Sequence, residues 1–167
     1  MTVTPSALHI SSDFDSGNIQ VLDATHPLHV RLAIKPDTKS PHFQWFHFKV
    51  DGLSVGQTHE FQLSNASQSS YNNAWDGYQA VASYDHEHWF RVPTNFDGSS
   101  LNISLEAEHP SVWFAYFEPY SRERHDLLIK NALQWSGCEL LATGKSVEGR
   151  DIELLRKGNG VSHKRKI

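Results

Sequence analysis

Apolar and polar residues alternate with a period of two through most of the first 117 positions. GNIQVLD (17–23), LHVRLAI (28–34) and QWFHFKV (44–50) are short alternating runs bounded by turn-forming residues, and further runs stand at 59–63, 78–84, 88–92, 101–105 and 112–117. That period predicts strands with one face toward a core. In the third run Phe46, Phe48 and Val50 share one face, expected in the core. Trp45, His47 and Lys49 share the other, expected to be at least partly wet. Eight short strands with no long helix between them predict a mainly β fold, an antiparallel β-sandwich of jelly-roll-like type.

The pattern changes after Pro119. Ser121 is a candidate N-cap, Glu123 lies where the helix dipole favours an acid, and Leu127, Leu128, Ala132, Leu133 and Trp135 precede Gly137. One amphipathic linker helix of roughly four turns is expected. Beyond Gly137 a new strand pattern begins at 138–142 and continues at 151–156. Gly158 and Gly160 mark a turn, and Lys164–Lys166 lead toward Ile167. A domain boundary is therefore expected near Gly137, with residues 1–137 as the sandwich plus connector helix and 138–167 as the opening of a second domain.

Composition adds mostly exclusions. The 167 residues carry a formal net charge of -4, and the one basic cluster, Lys164–Lys166, is a short run, so nucleic acid is not an expected partner. MTVTPSALHISSDFD has neither a positive start nor a continuous apolar stretch, and no membrane span is expected. Cys138 is the single cysteine, read as a small buried hydrophobe. These features fit a reducing cytoplasm.

Candidate chemistry is sparse. None of the eleven histidines falls in a His-Glu-x-x-His or His-x-x-Glu pattern. His26 and His29 have a proline between them. In DHEH (85–88), His86 and His88 would share a strand face and hold a surface metal, or they are polar residues of a turn beside Trp89. There is no Gly-x-Ser-x-Gly elbow, and Glu106 with Glu108 reads as a solvated edge. Trp45, Trp75, Tyr78, Trp89, Trp113, Tyr116 and Tyr120 form either a sugar platform or packing surface. In VWFAYFEPY both strand faces are apolar, as expected where a sandwich meets a neighbour.

LLATGKSVEGRDIELLRKGNG resembles the entry segment of zinc carboxypeptidases of the carboxypeptidase A superfamily, whose Gly-x-Ser/Thr-x-Glu/Asp-Gly-Arg-x-Ile pattern matches Gly144, Ser146, Glu148, Gly149, Arg150 and Ile152. FDSGNI (14–19), QWFHFKVDGL (44–53), NAWDGYQAVASYDHEHWFRVPT (73–94) and WFAYFEPYSRERHDLL (113–128) are similar to the N-terminal β-sandwich of cytosolic carboxypeptidases. The resemblance implies a scaffold whose zinc ligands and general base lie downstream, with no catalytic or metal residue in this chain. It also implies zinc as the cofactor of the parent's catalytic domain, that domain as partner, and peptide or protein C-termini as substrate. Tyr120, Arg122, Arg124 and Arg150 then become candidate interdomain contacts, the arginines suited to bidentate pairing with acids. A stand-alone carbohydrate-binding module, or a β-domain that oligomerises through exposed strand edges, remains the alternative.

Overall fold

The computed structural model describes residues 8–158; the expected turn at Gly160 and the Lys164–Lys166 cluster leading to Ile167 lie outside them. The chain divides into two compact units, residues 1–119 and 120–167. The first contains β1 (His9–Ser11), β2 (Gln20–His26), β3 (His29–Ala33), β4 (His47–Asp51), β5 (Thr58–Leu63), β6 (Val81–Ser83), β7 (Phe90–Arg91), β8 (Thr94–Phe96), β9 (Leu101–Glu106) and β10 (Ser111–Ala115). They form two five-stranded sheets, ordered β1-β4-β10-β6-β7 and β2-β3-β5-β9-β8. The result is a mainly β sandwich.

All pairings are antiparallel except β3 with β5, which is parallel. This departs from the purely antiparallel expectation, and the chain path explains it. Between β3 and β5 the chain crosses to the other sheet to lay down β4, then returns in the original direction. β1 and β8 were not anticipated, since each is three residues long and lies outside any longer alternating run.

The core lies between the sheets. Phe46, Phe48, Val50, Val112 and Phe114 from one sheet meet Val30, Leu32, Phe61, Leu63, Leu101 and Ile103 from the other, all fully or almost fully buried. Ring centroids of Phe61 and Phe114 are 4.8 Å apart, so the sheets touch through aromatic edges as well as branched side chains. Trp75 closes one end, its Nε1 donating to Ala66 O at 3.0 Å and Ser69 Oγ at 2.8 Å. His59 is a buried polar exception. Its Nδ1 donates to Pro27 O (2.9 Å) and its Nε2 accepts from Ser54 N (3.2 Å), which satisfies both ring nitrogens.

The second unit holds α1 (Arg122–Leu133) and the antiparallel pair β11 (Cys138–Lys145) and β12 (Asp151–Lys157). Ser121 caps the helix, its side chain accepting from Arg124 N at 3.3 Å. Glu153 ties helix to hairpin by accepting from Arg122 Nη2 (2.9 Å) and pairing with His125 Nε2 (2.9 Å). α1 thus belongs to the hairpin's unit, and the boundary expected near Gly137 falls inside that unit. Cys138 is half-buried rather than buried, for it lies on a two-stranded sheet.

Candidate functional site

Alternation sends the odd-numbered residues of β4 and β10 to the face opposite the core. That face of the β1-β4-β10-β6-β7 sheet carries His47, Lys49, Trp113 and Ala115, extended by Trp45 and Phe117. His47 and Ala115 are nevertheless fully buried. Two loops cover His47, one at each ring nitrogen.

The first loop is FDSGN. Asn18 exchanges backbone hydrogen bonds with His47, N to O in both directions (2.8 and 3.2 Å). Its side-chain Nδ2 donates to Trp45 O (2.8 Å) and Lys35 O (3.0 Å), which welds the loop to the start of β4. Gly17 passes so close to Ser12 that a Cβ there would stand 2.2 Å from Ser12 O, so only glycine fits. The loop lays Phe14 edge-on to His47 at 4.8 Å and brings Ser16 Oγ to His47 Nδ1 at 3.0 Å. Trp45 Nε1 donates to Ser16 O at 2.6 Å.

The second loop is DHEH, which is a turn rather than a strand. Ser83 Oγ accepts from His86 N (2.8 Å), and the Asp85 carboxylate accepts from Glu87 N (2.8 Å) and His88 N (2.7 Å). Those backbone donors, His88 first, together with the His88 side chain hold the Asp85 carboxyl well below the usual range. Asp85 in turn raises the pKa of His88, at 2.7 Å from Nδ1 to carboxylate. His86 and His88 therefore do not share a strand face. His88 is engaged by Asp85, while His86 adopts φ +66° and reaches over the sheet to His47.

The two imidazoles meet Nε2 to Nε2 at 3.3 Å. At this contact one nitrogen carries a hydrogen and the other accepts it. Burial, reinforced by the charge of His86 and opposed by Asp15, pushes the His47 pKa down to about 4. Ser16 (φ +64°) and His86 are the two non-glycine residues with left-handed backbone among those described, and they contact opposite nitrogens of one ring. Trp113 stacks on His86 at 5.3 Å, Trp89 packs against both histidines, and Lys49 Nζ lies 4.8 Å from the centroid of the Trp113 ring. Of the aromatic residues singled out by sequence, Trp45, Trp89 and Trp113 gather here. Trp75, Tyr78 and Tyr116 pack with the core instead.

A hydrolytic zinc needs three convergent protein ligands and an open position. The pair supplies two imidazole nitrogens, and among the described residues no group of three or more His, Cys, Asp or Glu is arranged to hold a metal. The donor set does not fit a catalytic zinc.

In the second unit, the GxSxEGR segment is a turn. Ser146 N donates to Arg150 O (2.8 Å), Arg150 N donates to Ser146 Oγ (3.0 Å), and Gly149 takes φ +82°. Serine and glycine are thus required by hairpin geometry. Arg122 bonds Glu153 and Asp126 within this unit; burial works against its charge, and these acids outweigh it and raise its pKa. The guanidinium of Arg124 lies 6.0 Å from the centroid of the Tyr120 ring. Half-exposed Leu127, Leu128, Trp135, Ile152 and Leu154 leave much of this unit's apolar surface uncovered.

Known proteins resemble this chain over most of its length. Residues 10–117 match the family model of the cytosolic carboxypeptidase N-terminal domain. A metallo-carboxypeptidase from Pseudomonas aeruginosa, solved in complex with (2-guanidinoethylmercapto)succinic acid, superposes with a TM-score of 0.85 at 61% identity, over 88% of this chain and 39% of that one. A metallo-carboxypeptidase from Burkholderia cenocepacia superposes with a TM-score of 0.87 at 38% identity, over 93% and 41%. Human cytosolic carboxypeptidase 6 is 28% identical over 90% of this chain and 33% of its own length. The chain spans about two-fifths of the solved structures it matches.

Proposed function

The chain belongs to the cytosolic carboxypeptidase N-terminal domain family, and from that we propose that it is the non-catalytic β-sandwich of a cytoplasmic zinc metallocarboxypeptidase that trims C-terminal residues from peptides or proteins. The superposition on metallo-carboxypeptidases more than twice as long carries this reading. In it, zinc belongs to the downstream domain, polarising the scissile carbonyl and activating water when bound. The sandwich packs on that domain and limits which substrates enter its site.

The same reading makes 138–167 the first hairpin of the catalytic domain, with α1 as connector. It assigns Tyr120, Arg122, Arg124 and Arg150 to the junction between domains. Among the described residues no helix is long and apolar enough to cross a membrane.

The test is expression of the chain with its downstream coding sequence and an assay of C-terminal residue release, with and without chelator. Zinc-dependent release is expected. Its absence, in a folded and metal-loaded preparation, overturns the reading.

A further inference from the structure

We propose that the outer face of the β1-β4-β10-β6-β7 sheet, centred on His47 and His86, is the surface against which the carboxypeptidase region of the same polypeptide packs. This rests on the reading above and names the place where the sandwich meets its partner.

Three observations carry it. The first is composition. Trp45, Trp89, Trp113 and Phe117 crowd one face of a sheet whose other face already fills the core, and Phe117 keeps 54% of its surface exposed. Aromatic side chains of this kind dominate the energetics of protein interfaces. Across the middle strands β3, β5 and β9 of the second sheet the outward residues are His29, Arg31, Glu60, Gln62, Asn102 and Ser104, a polar surface, and its exposed apolar side chains, Val21 and Leu22, stand on the edge strand β2.

The second is strain. A left-handed non-glycine residue costs about 1 kcal/mol or more, and Ser16 and His86 both hold that conformation against His47. Such strain accumulates where the shape of a surface matters to function. The loops that carry it, FDSGN and DHEH, define the relief of this face.

The third is size and charge. The solved relatives carry about three-fifths of their length beyond the part that matches this chain, and an intrachain interface of roughly 600–1,500 Å² is usual between such domains. Asp13, Asp15, Glu87 and Glu118 flank the aromatic positions in sequence and are exposed; Asp85 is engaged by His88 at 2.7 Å, and Lys49 by Asp51 at 2.8 Å. The matching surface is therefore apolar at its centre and basic at its rim.

Hydroxyl-radical footprinting of the full-length protein against this chain alone tests the assignment. Trp45, Trp89, Trp113 and His86 should oxidise several-fold more slowly in the full-length protein, while His29 on the other sheet reacts equally in both. Equal oxidation of Trp113 and His86 in the two preparations overturns the proposal, as does protection of His29 instead. Protection that appears only with rising concentration of the chain and tracks a dimer in sedimentation assigns the face to a second copy and also overturns it. The same full-length preparation is assayed for zinc-dependent C-terminal release. Activity with an unprotected face sinks the docking surface alone; loss of activity in a folded protein sinks the reading beneath it.

Discussion

The two sheets of the sandwich have the same number of strands and the same kind of inner face, yet their outer faces differ. One presents a ladder of polar partners, His29 with Glu60 (2.8 Å), Arg31 opposite Gln62, and Gln62 bonded to Asn102 (3.2 Å). The other presents three tryptophans, a phenylalanine and two histidines sharing a hydrogen bond, overlaid by two loops of strained backbone. A sheet that needs only to close its own core can leave its back to solvent. Apolar rings on the back of a sheet, held in place at conformational cost, have to be explained by something outside the core.

The sharpest way to break this comparison is on a single strand of it. Phe114 faces the core and Trp113 faces outward. Phe114→Ala should cost about 3–5 kcal/mol in urea denaturation of the chain, whereas a comparable cost for Trp113→Ala would mean that the outer face is part of the folding core.

Protonation comes next. His47 is buried with its pKa down at about 4, against 6.5 for an ordinary histidine, so the unfolded state takes up a proton before the folded state does. Stability should fall as pH drops from 6.5 toward 4, by up to roughly 3 kcal/mol from this group, and flatten below. Carboxylates add their own slope at the acid end, so the measurement is the difference between the chain and His47→Asn. That difference should shrink across the window; one that stays constant refutes a His47 buried in its neutral form.

Smaller effects sharpen the contrast. Trp113→Ala, which removes a partly buried ring with partners in His86 and Lys49, should cost the isolated chain about 1 kcal/mol. Glu60→Ala on the polar face should change stability by no more than about 0.5 kcal/mol, because its pairing with His29 is largely solvent-exposed.

Much of this was legible in the amino-acid order. Alternation put Phe46, Phe48 and Val50 in the core and marked both faces of the Val112–Phe117 run as apolar, and Ser121 and Glu123 announced the helix. What alternation does not encode is coverage. It put His47 on a wet face, whereas loops 29 and more residues away in sequence bury it. DHEH was legible as either a strand or a turn; Asp85 decides it by accepting backbone hydrogens from Glu87 and His88, and so frees His86 to reach a partner 39 positions back. A histidine placed between phenylalanines was the one local hint. The parallel β3–β5 pairing carried no such hint, because it depends on where β4 goes.

The account turns on the outer aromatic face being covered in the working protein. The direct measurement pairs Trp113→Glu with Gln62→Glu in the full-length protein and compares zinc-dependent C-terminal release. A new carboxylate at Trp113 should lower activity at least tenfold or split the domains in limited proteolysis, while the same change at Gln62 leaves activity within twofold. Equal tolerance at the two positions would contradict it.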